Sequence, residues 1–157
     1  MKRFLVLPVL LLSLILSACS GSSAPTVEAQ IDTTEQTSSQ QSSVLEQKDT
    51  QGAVVVTVTP VNLDNPGETL DFKVSMKTHS VELDMDLPSL STLSTDTGVT
   101  LPGSAWNGPK GGHHVEGTLS FPAQKDGRSL LEGAKVITLK IQNVDAPERV
   151  FSWDVQN

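Results

Sequence analysis

The sequence is poor in cysteine, aromatic residues and basic residues. It has one cysteine and no tyrosine, and aromatic residues make up 4% of the chain. A single cysteine excludes an intramolecular disulfide, so any folded domain must be held by its hydrophobic core. Eleven Lys and Arg residues stand against eighteen Asp and Glu residues, a net charge of −7. Nucleic-acid binding depends on clusters of Lys and Arg at phosphates, so we predict no nucleic-acid partner.

Sequence patterns that accompany catalysis are also missing. The chain contains no Gly-x-Ser-x-Gly, no His-Glu-x-x-His and no phosphate-binding glycine loop. Asp84 and Asp86 would need burial to serve as an acid and base pair, but the residue alternation places both on a solvated face. We therefore predict that the protein is not an enzyme.

One apolar run, Phe4 to Leu16, stands at the N-terminus and is broken by Pro8 and Ser13. It is shorter than the roughly 20 residues of a spanning helix. Two basic residues precede it and small residues follow it, which is typical of a secretory signal peptide over residues 1–18. An uncleaved membrane helix and a signal peptide without lipid are the alternatives.

The end of this run, Leu16-Ser17-Ala18-Cys19, resembles the lipobox of bacterial lipoproteins. The resemblance implies that Cys19 carries a diacylglycerol, begins the mature chain and attaches it to the membrane. Two or more acyl chains give stable attachment. The protein is then exported and lies on the outer membrane of a diderm cell, or on the outer face of a monoderm membrane. Without Lys2 and Arg3, nine basic side chains remain against eighteen acidic ones, a net charge of −9.

Residues 19–51 hold the lipidated cysteine and then a stretch rich in Ser, Thr, Gln and Glu with no aromatic residue. Such a stretch buries too little apolar area to offset its ordering entropy, which predicts a disordered tether. Residues 52–157 instead alternate apolar and polar side chains, the pattern of half-buried strands. The apolar positions are Val54, Val56, Val58; Leu70, Phe72, Val74, Met76; Val81, Leu83, Met85, Leu87; Val115, Leu119, Phe121; Ile137, Leu139, Ile141; and Phe151, Trp153, Val155.

Six or seven short strands in about a hundred residues predict an all-β domain, a single antiparallel β-sandwich of immunoglobulin or fibronectin type. Leu90 and Leu93 add either a short strand or a helical turn. A small closed barrel is the alternative. The segment from Trp106 to His114 and the ending from Pro147 to Trp153 resemble uncharacterised secreted immunoglobulin-like domains, and this resemblance implies no activity.

The segment from Trp106 to His114 combines an aromatic residue and two histidines with glycine and proline. Loops on a rigid sandwich commonly carry function, so Trp106, His113 and His114 are candidate ligand residues. The alternative is that Trp106 covers one end of the core and the glycines allow tight turns.

A metal site is a second hypothesis. His79, His113 and His114 would hold copper or zinc if their loops meet, since imidazole suits both metals. Met76 and Met85 are thioether candidates for copper, although both are in phase with the core. Glu82, Asp84 and Asp86 follow one strand face and are expected to pair with Lys73 and Lys77 rather than to bind calcium.

The sequence therefore predicts a non-catalytic binding domain on a membrane anchor, with an unidentified protein or envelope ligand as its partner. A copper or zinc binding protein is one alternative. An accessory subunit of a membrane complex is another.

Overall fold

The computed structural model describes residues 45–155, which lie within one compact unit. The predicted signal peptide, Cys19 and most of the predicted tether lie outside the described residues. The regular structure of the described part is almost entirely β, with 50% of the described residues in strands and 5% in helix, including the short helix α1. The elements are β1 (Gln47–Asp49), β2 (Val55–Pro60), β3 (Thr69–Lys77), α1 (Leu87–Leu90), β4 (Ser91–Thr95), β5 (Thr100–Pro102), β6 (Ala105–Trp106), β7 (His114–Pro122), β8 (Gln124–Lys125), β9 (Arg128–Ser129), β10 (Val136–Gln142) and β11 (Glu148–Asp154).

Two antiparallel sheets form the domain, which confirms the predicted β-sandwich. One sheet has the order β1-β2-β3-β7-β6 and the other has the order β11-β10-β4-β5. The strands β2, β3, β7 and β6 match the A, B, E and D strands of an immunoglobulin fold, and β4, β10 and β11 match C, F and G. The remaining strands are short additions: β1 and β5 at sheet edges, and the hairpin of β8 and β9. Asp126-Gly127 makes the two-residue turn of that hairpin, and both residues have positive φ.

The core lies between the sheets and is built from the alternating apolar positions. Strand β2 buries Val56 and Val58, and β10 buries Ile137, Leu139 and Ile141 completely. The sheets meet at an aromatic cluster in which the Phe72 ring centroid lies 5.4 Å from that of Trp153 and 5.7 Å from that of Phe121. Burying such large rings is the main driving force that a domain without a disulfide has available.

The predicted strand from Val81 to Leu87 is not a strand in the structure. Alternate burial is kept, because Leu83 and Leu87 are buried while the residues between them are exposed or half-buried. The backbone, however, pairs only at Leu83, with a glycine-rich loop that offers no continuous ladder. Leu87 to Leu90 then forms α1, with Pro88 in its first turn, and β4 follows at once. The sequence allows either a helical turn or a short strand around Leu90 and Leu93, and the chain contains both.

Strand β1 lies inside the range that the sequence assigns to the tether, so the ordered domain begins before residue 52. It pairs with β2, from Gln47 opposite Val58 to Asp49 opposite Val56. Its polar sequence gives no apolar alternation, so hydrogen bonds hold it instead. The Gln47 amide bonds both backbone groups of Ser152 on β11, accepting from the Ser152 N–H at 3.2 Å and donating to the Ser152 carbonyl. The Trp153 indole N–H donates to the Leu45 carbonyl at 2.6 Å. Strand β1 therefore links the two sheets along one open side.

Arg149 fixes the same side of the sandwich from within. Its side chain is fully buried, and its donors contact three residues on two segments of the chain. The Nε and Nη2 atoms donate to the Val144 carbonyl at 3.1 and 3.0 Å, and Nη2 also donates to the Gln51 carbonyl at 2.6 Å. The Nη1 atom donates to the carboxylate and, at 3.5 Å, to the carbonyl of Asp49. All five N–H groups of the guanidinium are thereby used.

The contacts around Asp49 lower the pKa of its carboxyl group. Burial by itself would raise its pKa. Hydrogen bonds from the side chain and backbone of Gln51, together with the Arg149 guanidinium, outweigh that effect and lower the pKa below its usual value. Asp49 is therefore held in its ionised form where the N-terminal segment joins the domain.

Candidate functional site

Trp106 lies on β6 opposite Leu119 of β7 and begins the loop to His114, which we call the glycine loop. Its indole is half-buried and packs against the core. Gly108 and Gly117 leave room for it: a Cβ on Gly117 would lie 2.5 Å from the Gly108 Cα and 2.9 Å from the Trp106 ring. The indole N–H donates to the Pro109 carbonyl at 3.4 Å. Trp106 thus covers an edge of the core, as the second of the two sequence interpretations proposes.

The glycine loop is bound along its length to the segment that follows β3. The Thr78 N–H donates to the His113 carbonyl at 2.9 Å. Leu83 exchanges backbone hydrogen bonds with Gly111 at 2.9 Å and Gly112 at 3.1 Å. Positive φ angles of 89° and 94° at the two glycines create this close approach. The loop is therefore a fixed part of the domain end.

Of the three acidic residues expected to pair with Lys73 and Lys77, two contact the glycine loop instead. The Glu82 carboxylate accepts a hydrogen bond from the Gly112 N–H. Asp86 lies 3.9 Å from the Lys110 ammonium group. Lys73 in turn pairs with Glu116 at 3.0 Å. Because the 81–86 segment does not join the sheet as a strand, its carboxylates never come opposite the lysines of β3.

The three histidines predicted as metal ligands do not form a set. The rings of His79 and His114 are neighbours, with centroids 6.3 Å apart. Within residues 45–155, no three His, Cys, Asp or Glu side chains are grouped closely enough to hold a metal ion. Met76 is buried and Met85 is half-buried against the core. The predicted copper or zinc site is thus reduced to one pair of neighbouring rings, His79 and His114.

The outer face of the five-stranded sheet carries a second candidate site, which the sequence did not reveal. The β3–β7 register sets Lys77 opposite His114 and Ser75 opposite Glu116, and the β2–β3 register sets Ser75 opposite Thr57. The result is a shallow concavity of about 310 Å³, which we call the lysine dish. It is lined by Glu46, Lys48, Thr57, Thr59, Lys73, Ser75, Lys77 and Glu116.

Comparisons with known proteins give a structural likeness but no family. No protein-family model matches the sequence, and no curated protein is significantly similar to it. The crystal structure of a DUF4426 family protein from Pseudomonas aeruginosa matches 69% of this chain and 94% of its own, with 17% identity and a TM-score of 0.42. A likeness at this level does not bear on function. Within residues 45–155, no helix has the length and apolar character that crossing a membrane requires.

Proposed function

We propose that this chain is an exported, lipid-anchored protein of the cell envelope whose β-sandwich is a non-catalytic binding domain. Lys2, Arg3 and the apolar run support export. The lipobox-like sequence ending at Cys19 supports the lipid anchor. Cys19 is the only cysteine, so lipidation would also remove the one thiol that could take part in chemistry.

The observation that carries the proposal is the position of the glycine loop relative to the N-terminal end of the domain. Leu45 contacts Trp153, near the end of β11. Asp49 contacts Arg149, near the start of β11. The start of β2 lies at the same end as Arg149, because Asp49 pairs with Val56. Lys77 and His114 lie at this end too, since Val55 pairs with Lys77 and Lys77 pairs with His114.

The chain therefore enters the domain towards one end of the strands. The glycine loop starts at Trp106, opposite Leu119, and runs along β7 to the other end, where it reaches His114. A tether attached before Leu45 would leave the loop end and the sheet faces free for an envelope partner. This partner is a protein or a glycan rather than a nucleic acid, because the charge of −9 opposes contact with phosphate chains.

The anchor is tested by Cys19→Ser, compared with Ser20→Ala as a matched control. Radiolabelled palmitate should enter the wild type and the control but not Cys19→Ser, which should leave the membrane fraction while keeping the circular dichroism of a β domain. Retention of Cys19→Ser as an integral membrane protein would contradict the proposal. Catalysis is tested separately, since turnover of ester, peptide or glycoside substrates by the purified protein would contradict a non-catalytic role.

A further inference from the structure

We propose that the lysine dish binds an anionic sugar unit, one carrying a carboxylate or a phosphate. This inference deepens the proposed function, because it assigns a site and a ligand class to the binding domain. The dish belongs to the regular part of the five-stranded sheet, so its side chains are positioned by strands β1, β2, β3 and β7.

Hydroxyl groups form the middle of the dish. One row across the sheet runs from Lys48 through Thr57 and Ser75 to Glu116. The next row sets Thr59 beside Lys73. Hydroxyl side chains both donate and accept hydrogen bonds, as sugar hydroxyls require. No aromatic or aliphatic side chain lines this concavity, which disfavours an apolar ligand.

Three lysines surround these hydroxyls. Lys73 and Lys77 lie four residues apart on β3, a Cα separation of about 13 Å, and Lys48 lies two strands from Ser75, about 10 Å away. All three side chains are exposed. An anion placed over Ser75 would lie between the lysine stems, and long flexible side chains could bring their ammonium groups to it.

The charge balance of the dish differs from that of the chain. Without the two basic residues of the signal peptide, nine Lys and Arg residues remain, and three of them line the dish. Lys73 is paired with Glu116. Lys48 and Lys77 form no ion pair with any residue among those the structure describes. These two ammonium groups are the ones available to an anionic ligand.

The size of the concavity restricts the ligand. About 310 Å³ is at the lower end of the range for small-molecule sites. It suits one sugar ring with its acidic group better than an extended protein surface. The Glu46 and Glu116 carboxylates at its rim are acceptors for sugar hydroxyls, and they would repel a ligand that carries several closely spaced negative charges.

Titration calorimetry on the purified full-length protein in detergent tests the site. The probes are the monosaccharides galacturonic acid, glucose 6-phosphate and neutral glucose. We expect one of the two anionic probes to bind and glucose to bind at least tenfold more weakly. The anionic probe that binds identifies the acidic group.

The test variant is Lys48→Gln/Lys77→Gln, and its matched control is Lys125→Gln/Lys135→Gln, which removes the same charge from exposed lysines elsewhere. The test variant should lose at least tenfold in affinity, and the control should stay within twofold. Equal losses in both would show a general charge effect and overturn the proposal. Binding of neither anionic sugar, or binding only to vesicles of anionic phospholipid, would overturn it as well. These outcomes are independent of palmitate labelling at Cys19, so the anchor and the dish can fail separately.

Discussion

Replacing Arg149 with methionine should destabilise the domain more than any comparable change at an exposed charge. The substitution keeps an unbranched side chain in a fully buried position but removes every guanidinium hydrogen bond. The Gln51 and Val144 carbonyls lose their Arg149 donors, and the Asp49 carboxylate, whose side chain is 16% exposed, loses its cation.

The magnitude follows from the kind of pair that is broken. Removing one partner of a buried ion pair costs about 3–5 kcal/mol. Because Asp49 retains some contact with water, we expect a value near the lower limit, about 3 kcal/mol of the free energy of unfolding. That loss is a large part of the roughly 5–15 kcal/mol that stabilises an ordinary domain. The midpoint of thermal unfolding should fall by more than about 10 °C.

Urea unfolding followed by tryptophan fluorescence measures this loss, since Trp153 is buried next to β1. The matched control is Lys140→Met, which removes a half-buried cation 3.2 Å from Glu148 at the same end of the sheet. The control should cost less than about 1 kcal/mol. In the Arg149→Met background, Asp49→Asn should recover part of the loss by removing the unpaired carboxylate. If Arg149→Met costs no more than Lys140→Met, the guanidinium does not hold β1 in place.

Two further predictions concern Asp49 and the packing under Trp106. Because the folded-state pKa of Asp49 is lowered, its contribution to stability is present above the unfolded-state value and is lost as the pH falls through the folded-state pKa. Urea titrations between pH 6 and pH 2 should therefore show a shallower loss for Asp49→Asn than for the wild type, and parallel curves would contradict this. Gly117→Ala should cost about 1–3 kcal/mol by overpacking against Gly108 and Trp106, whereas Gly67→Ala, with open space around it, should change little. Equal denaturation midpoints for the two glycine variants would contradict the packing of Trp106 described above.

The sequence predicted the sandwich because its long strands bury every second residue, and period-two alternation is readable without knowing the partner strand. The alternation from Val81 to Leu87 is equally regular, yet that segment pairs with glycines rather than with a strand. Periodicity reports which side chains are buried. It does not report which backbone groups are paired.

The candidate sites could not be predicted in full, because they depend on which strands lie side by side, and the sequence of a single strand does not contain that information. Lys73 and Lys77 were expected on a solvated face, but Lys48 was assigned to the tether, so the dish was not foreseen. The burial of Arg149 could have been predicted from the sequence, since it is in phase with Phe151 and Trp153 on the buried face of β11. A buried arginine at such a position needs several acceptors, and only the fold shows that Asp49, Gln51 and Val144 supply them.

The hydrogen bonds between the Gln47 amide and the Ser152 backbone affect how copies of the protein associate when they are crowded together. Anchored proteins share one surface, and a free strand edge is a template on which another chain can pair and aggregate. Among the four edges of the two main sheets, three are short: β1, β6 and β5, the last of which ends in Pro102. The fourth edge, β11, is seven residues long, and the Gln47 amide occupies its backbone groups at Ser152. The segment that leads from the proposed tether into the domain thus also blocks the edge most open to self-association, so crowding on a membrane need not lead to sheet-to-sheet polymerisation.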